Sequence, residues 1–515
     1  MNTPSIRGVS TGELIRLHSG SGRRLMAATV LGSGLVSLDA TVVTLAVPRI
    51  GADLGTGMAG LQWVLSGYLL SLASLILVGG ALGDRFGRRA VFVAGTVLFA
   101  AASLGCGLAD SVIALVGARV LQGVGGALVT PASLALIAAA VDPRDRGAAI
   151  GMWAGLGGIA GVAGPVVGGW LVEAGGWRTA FLVNIPLAAI VVAISLRHVP
   201  ESCDPPARPR VNAMGALLLV LPLGISTYGL IATRWWWAGF GAVLLCAVLS
   251  AQGRGRNPLI PSSLFTSRAF TVVNLVTLPV YAALGCVLFL LALCLQIVVG
   301  YSPAGAGAGA ATVPVTAVLL VGSTRAGRYA QRRGARGPMA VGLAVTAAGA
   351  LLLAEIGPDA GYLVDVLPGL LLLGLGQAIF VAPLTGAVFD AVPAAHAGTA
   401  SGINNAIART GHLLAVAAVP GMAGITDTPL TDSGAFGTGY RIAVWICSGF
   451  FLAGAALSAA LMPRPETCSR KRSATEAVTA TTTDGDIHTR ESAEIPDRPD
   501  ETAEHCGPEP AGDFG

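Results

Sequence analysis

Lysine is almost missing from this 515-residue chain: of 32 basic residues only Lys471 is a lysine, and the other 31 are arginine. A P-loop needs its lysine within G-x-x-x-x-G-K-[ST], and Lys471 follows Arg470, so a built-in ATPase is excluded. A membrane-embedded Schiff-base lysine is excluded with it. Charge is scarce as well, at 12% of residues against about 25% in soluble domains. The six histidines form no H-E-x-x-H and the eight cysteines no C-x-x-C, so no metal site, cofactor or disulfide framework is expected. One G-x-S-x-G, Gly8 to Gly12, lies in a polar stretch with no strand before it, and a chain with 71 glycines produces such matches by chance.

What the chain does have is apolar length. It is 53% apolar with a mean hydropathy of +0.72. Apolar runs long enough for a hydrocarbon core of about 30 Å recur from residue 27 to residue 462. Read this way the protein is an all-α polytopic membrane protein with fourteen expected spans: 27–48, 61–82, 90–109, 112–140, 147–172, 179–197, 213–232, 236–251, 270–298, 305–324, 338–356, 364–388, 398–421 and 441–462. With a cytoplasmic N-terminus, twenty arginines fall on the inner side and four on the outer. The positive-inside rule then places both termini in the cytoplasm. Residues 1–24 read as a retained cytoplasmic segment, 25–200 as a six-helix bundle, and 201–268 as a linker with two extra spans. Residues 269–462 read as a second six-helix bundle and 463–515, with 12 acidic and 6 basic residues, as a disordered acidic tail. The basic inner face suits anionic lipid rather than nucleic acid.

Three ionisable residues fall inside apolar runs: Asp39, Arg119 and Arg409. Each costs about 2.5 to 3.5 kcal/mol at mid-helix on insertion scales, so each should face protein or a wet cavity. A carboxyl held in a low dielectric can take and release a proton near neutral pH. Asp39 is therefore the candidate for proton or substrate handling, with a structural carboxylate satisfied by a neighbouring helix as the alternative. Arg119 does not titrate but can bias that carboxylate, or serve as an anchor. Between the second and third spans, Gly80-Ala81-Leu82-Gly83-Asp84-Arg85-Phe86-Gly87-Arg88-Arg89 joins a tight turn to alternating charge, with Asp84 able to accept from arginines or cap the next helix.

That string resembles the loop 2–3 signature of the major facilitator superfamily, G-x-L-a-D-r-x-G-r-R. Further segments resemble its fourteen-span drug:proton antiporter branch. They are Leu38 to Pro48 in the first span, Gln62-Trp63 with Tyr68 in the second, and Arg119-Val120-Leu121-Gln122-Gly123-Val124-Gly125 in the fourth. Gly164-Pro165-Val166-Val167-Gly168-Gly169 is similar to the G-P-x-x-G-G of exporters, followed by Trp177-Arg178, Phe181, Asn184 and Pro186. In the second half Gln296, Gly300 to Pro303 and Gly398 to Asn405 also fit. There are departures: Thr44 stands for a usual Asn, Thr179 for a Trp and His412 for a Gly. Gln331 replaces the Asp in Gly327 to Gly334, a second-half echo of the loop 2–3 string.

The resemblance implies two six-helix bundles rocking about a midplane cavity, with an inserted helical pair outside them. It assigns proton coupling to Asp39 and Arg119. It assigns a conformational latch to Gly80, Asp84, Arg85, Gly87 and Arg88, and an antiporter helix motif to Gly164, Pro165, Gly168 and Gly169. Trp63, Tyr68, Gln296, Gln377, Asn404, Asn405 and Arg409 are candidate cavity residues. The implied activity is proton-driven export of a small amphiphilic drug or secreted antibiotic across the cytoplasmic membrane by a monomer. The competing readings are proton-coupled nutrient uptake, which the Gly-Pro motif disfavours, a non-transporting sensor and an intramembrane enzyme.

Overall fold

The computed structural model describes residues 14–202, 213–254, 262–305, 313–393 and 397–463. The expected acidic tail beyond Pro463, the Gly8 to Gly12 match, Arg208, Arg210, Arg256 and the Gln331 side chain lie outside the described residues. Among the described residues every named element is helical, and the one β-bridge pairs Ile15 with Val141. In the first half the helices are α1 (Gly20–Leu54), α2 (Met58–Phe86), α3 (Arg88–Gly107), α4 (Val112–Ala140), α5 (Pro143–Gly175), the short α6 (Thr179–Leu182) and α7 (Asn184–His198). A pair follows, α8 (Ala213–Ile231) and α9 (Trp235–Gly253). The second half holds α10 (Arg268–Ile297), α11 (Val313–Arg333), α12 (Arg336–Leu353), α13 (Leu367–Asp390), α14 (Ala397–Met422) and α15 (Ser433–Leu461).

The helix starts follow from local chemistry. Ser19, Ser111, Asp142, Ser267 and Asp432 each accept from a backbone N–H of the following turn, and Pro143 opens α5 where its missing N–H costs nothing. Gly55, at φ +60°, ends α1 in the left-handed region where a side chain would be strained. Among the described residues, ten helices are long and apolar enough to cross a membrane. Helices α5, α8, α11 and α14 fill the described parts of the other four expected spans without being among the ten.

The packing repeats. In the first half α1 packs on α5, α2 on α4, and α3 on α4 and α7; in the second α10 packs on α14, α11 on α13, and α12 on α13 and α15. Each second-half pairing is the first-half pairing moved along the chain, as expected of an internally duplicated transporter. The extra pair packs on itself, and α8 lies against both α2 and α14. The halves are also tied where α1 turns into α2. Gln62 Nε2 donates to the carbonyls of Val416 and Ala417 at 2.8 and 3.0 Å, and Gln296 Nε2 to that of Leu45 at 3.4 Å. The Ala304 N–H donates to Glu173 Oε2 at 3.1 Å.

Candidate functional site

The carboxylate of Asp39 is fully buried within the first half, hydrogen-bonded to three side chains. Position 39 is the twentieth of 35 residues in α1, far from either end. Its Oδ2 accepts from Arg119 Nη1 of α4 at 2.6 Å. Its Oδ1 accepts from Gln122 Nε2 at 2.7 Å and from Asn184 Nδ2 of α7 at 2.9 Å. The side chains of Arg119 and Asp39 are 1% and 0% exposed, so this ion pair is secluded from bulk solvent. A pair taken that far from solvent is tolerable only if its remaining donors and acceptors are met.

They are met largely by neutral groups. Arg119 Nε donates to the Val64 carbonyl of α2 at 3.1 Å, and Nη1 also donates to Gln122 Oε1 at 2.7 Å. The guanidinium lies 4.2 Å from the Tyr68 ring centroid and 5.8 Å from that of Phe181. Gln122 Nε2 further donates to Ser103 Oγ of α3 at 2.8 Å. Helices α1, α4 and α7 thus meet at one carboxylate, and α2, α3 and α6 hold its partners Arg119 and Gln122. Asn184 Oδ1 is the exception, buried with no partner among the described residues.

The latch region behaves differently. Arg88 donates to Asp84 Oδ1 through Nε at 3.1 Å and Nη2 at 2.8 Å, while Arg85 is exposed with its guanidinium 5.1 Å from the Phe86 ring. Gly87 turns the chain at φ +104°. A further residue completes it: Glu201, just after α7, accepts from the backbone N–H groups of Arg89 and Ala90 at 2.9 and 3.0 Å. A carboxylate there satisfies two free donors of α3 and the positive end of its dipole. In the second half Gly334, at φ +85°, makes the same kind of turn after α11.

The Gly-Pro motif lies where α5 crosses α1. A Cβ on Gly164 would overlap Thr41 Oγ1, and one on Gly168 would sit 2.9 Å from the Val42 Cα. Gly169 faces the second half: a Cβ there would lie 2.5 Å from the Pro303 carbonyl oxygen. Pro165 is buried and Gly80 half-buried.

The candidate cavity residues do not form one cluster. Tyr68 is 1% exposed, stacks on Arg119, and donates to the Val36 carbonyl at 3.3 Å. Asn404 Nδ2 donates to Asn274 Oδ1 at 3.0 Å and Thr277 Oγ1 at 2.8 Å, joining α14 to α10. Gln377 is buried with its Nε2 unpartnered. Trp63, Gln296, Asn405 and Arg409 are half-buried. Sequence reasoning gave no role to Ser103, Gln122, Asn184, Glu201 or Gln62. The spacing of Gln122 one helical turn after Arg119 was the available signal for the first network. Nothing local marks Glu201, whose partners stand 112 and 111 positions earlier.

This duplicated helical fold around a buried carboxylate is that of a secondary transporter, and the comparisons agree. The profile of the Major Facilitator Superfamily matches residues 29–416, and the chain belongs to that family. Multidrug resistance protein Stp of Mycobacterium tuberculosis is 36% identical over 394 residues, covering 74% of this chain and 72% of that protein. The tetracenomycin C resistance and export protein of Streptomyces glaucescens is 34% identical over 402 residues, covering 76% and 74%. Among solved structures, a bacterial homologue of the human lysosomal transporter Spinster, inward-facing and unoccupied, superimposes with a TM-score of 0.62 at 19% identity. That match covers 86% of this chain and 97% of the other, and it shows the shared fold.

Proposed function

We propose that the protein exports small amphiphilic molecules, drugs or a secreted antibiotic, from the cytoplasm in exchange for protons, with Asp39 as the proton carrier and both termini cytoplasmic. The observation that carries this reading is the buried Asp39–Arg119 pair. Export rather than uptake is supported by the two curated relatives described above, one named for multidrug resistance and the other for resistance and export of tetracenomycin C.

The network gives proton coupling a physical form. In the geometry seen, the Asp39 carboxylate is held by three donors, on Arg119, Gln122 and Asn184. A proton arriving there removes the counter-charge of Arg119 and leaves a buried guanidinium with neutral neighbours, Val64, Gln122 and the Tyr68 and Phe181 rings. Breaking a buried pair in this way costs about 3 to 5 kcal/mol unless the surroundings rearrange. Protonation and helix rearrangement are therefore coupled. Because Asp39 lies on α1 and its partners on α4 and α7, the rearrangement acts on the packing of the first half. Driving force is adequate: one charge crossing 100 mV yields about 2.3 kcal/mol. A tenfold substrate gradient costs about 1.4 kcal/mol.

The test is reconstitution of the full chain in liposomes with a pH-sensitive dye inside. An outward substrate gradient should drive proton movement of opposite direction in the native protein. A variant with Asp39→Asn should lose that movement while staying folded; proton movement equal to that of the native protein would refute the assignment.

A further inference from the structure

The interior charges do not balance. Asp39, the single acid deep within a span among the described residues, is consumed by Arg119. Arg409 is left over. It is the thirteenth of 26 residues in α14, about 18 Å of helix from either end at 1.5 Å per residue. Among the described residues it has neither a hydrogen-bond nor an ion-pair partner, and it is half-buried, so its head is open to whatever occupies the space beside it.

That space lies between the halves. Gly402, Arg409 and Val416 recur at seven-residue intervals and share one stripe of α14. Both outer members of the stripe meet α2. A Cβ on Gly402 would sit 3.2 Å from Leu77, and the Val416 carbonyl accepts from Gln62 at 2.8 Å. Arg409 stands between these two crossings. His412 follows it one turn along α14, with its ring where a Cβ on Gly285 of α10 would stand, and Tyr281 lies one turn before Gly285 on α10. Tyr281 and His412 are half-buried and, among the described residues, have no hydrogen-bond partner of their own.

An uncompensated guanidinium at this depth, flanked by a free hydroxyl and a free imidazole, is a receptor for an anion. Its planar fork of donors matches a carboxylate bidentately, and desolvation strengthens that bond. It repels a cation, and Asp39 cannot offset that repulsion because its charge is already spent on Arg119.

Resting on the exporter reading above, we propose that the transported molecules are organic anions, each an apolar body bearing a carboxylate or ionised phenol, and that Arg409 holds the acidic group with Tyr281 and His412 beside it. Export of such an anion moves negative charge outward while the proton brings positive charge inward, so the membrane potential drives both legs.

The test uses the full chain in nanodiscs and three fluorescent probes of one shape: anthracene-9-carboxylate, the neutral anthracene-9-carboxamide, and the cation 9-(trimethylammoniomethyl)anthracene. The native protein should bind the carboxylate at least tenfold more tightly than either of the others. Arg409→Gln should erase that preference while leaving the carboxamide affinity unchanged, and Tyr281→Phe should weaken carboxylate binding severalfold. The preference of the native protein needs no variant, so misfolding cannot mask it. Tighter binding of the cation, an unchanged carboxylate-to-carboxamide ratio in Arg409→Gln, or binding of none of the three up to millimolar concentration overturns the proposal. The exporter reading is judged separately, by whether an imposed pH gradient drives any of the three probes across proteoliposome membranes.

Discussion

Gln62 of α2 donates to the carbonyl of Val416 in α14, at 2.8 Å and across 354 positions of sequence. A second bond from the same amide to Ala417 makes it a two-point fastener between the halves. Replacing it with alanine removes both bonds from a buried site and leaves the Val416 carbonyl, whose helical donor position is Pro420, in need of another donor. We expect Gln62→Ala to widen this end of the molecule. Spin labels at exposed Asp110 and Asp359, in a background freed of native cysteines, should show a longer-distance population; an unchanged distribution would contradict the fastener role.

The α1–α5 crossing gives a stability prediction with its own rescue. Gly164→Ala places a Cβ against Thr41 Oγ1 and should destabilise the protein by about 1 to 3 kcal/mol, as overpacked interiors do. Adding Thr41→Ala removes the colliding oxygen and should restore much of the loss, read as thermal unfolding in detergent. Equal midpoints for native and Gly164→Ala protein would show that the approach is looser than described.

Glu201 should matter more to local stability than its place in a connecting segment suggests. Glu201→Ala leaves the Arg89 and Ala90 N–H groups without their acceptor, at a cost of about 1 kcal/mol for a lost helix cap. Glu201→Gln keeps an acceptor oxygen and should recover part of it. Hydrogen exchange at the start of α3 would rank the three proteins, and identical protection would refute the capping role.

For the central network the order of effects is diagnostic. Arg119→Gln strands Asp39 as an unpaired buried charge and should cost about 3 to 5 kcal/mol. Asp39→Asn combined with Arg119→Gln removes both charges and should be more stable than Arg119→Gln alone, yet inactive in proton exchange. Additive losses in the double variant would mean that the two side chains are not energetically coupled.

How much of this was legible beforehand depended on range. Helix positions were readable because apolar length is a local property of the chain. Asp39 and Arg119 stood out because charge inside an apolar run is costly, whatever surrounds it. That they form a pair was not readable, since 80 positions separate them and only the packing of α1 on α4 joins them. The same limit hid the roles of Asn184 and Glu201. Tyr68 shows the opposite difficulty: an aromatic beside the expected cavity turned out to be the wall on which Arg119 rests.

The most direct measurement is proton flux through reconstituted protein carrying Asp39→Asn, with substrate-for-substrate exchange followed in the same vesicles. The account predicts that exchange of labelled for unlabelled substrate continues while substrate-driven proton flux disappears. Proton flux in that variant matching the native protein in size and pH dependence would contradict it.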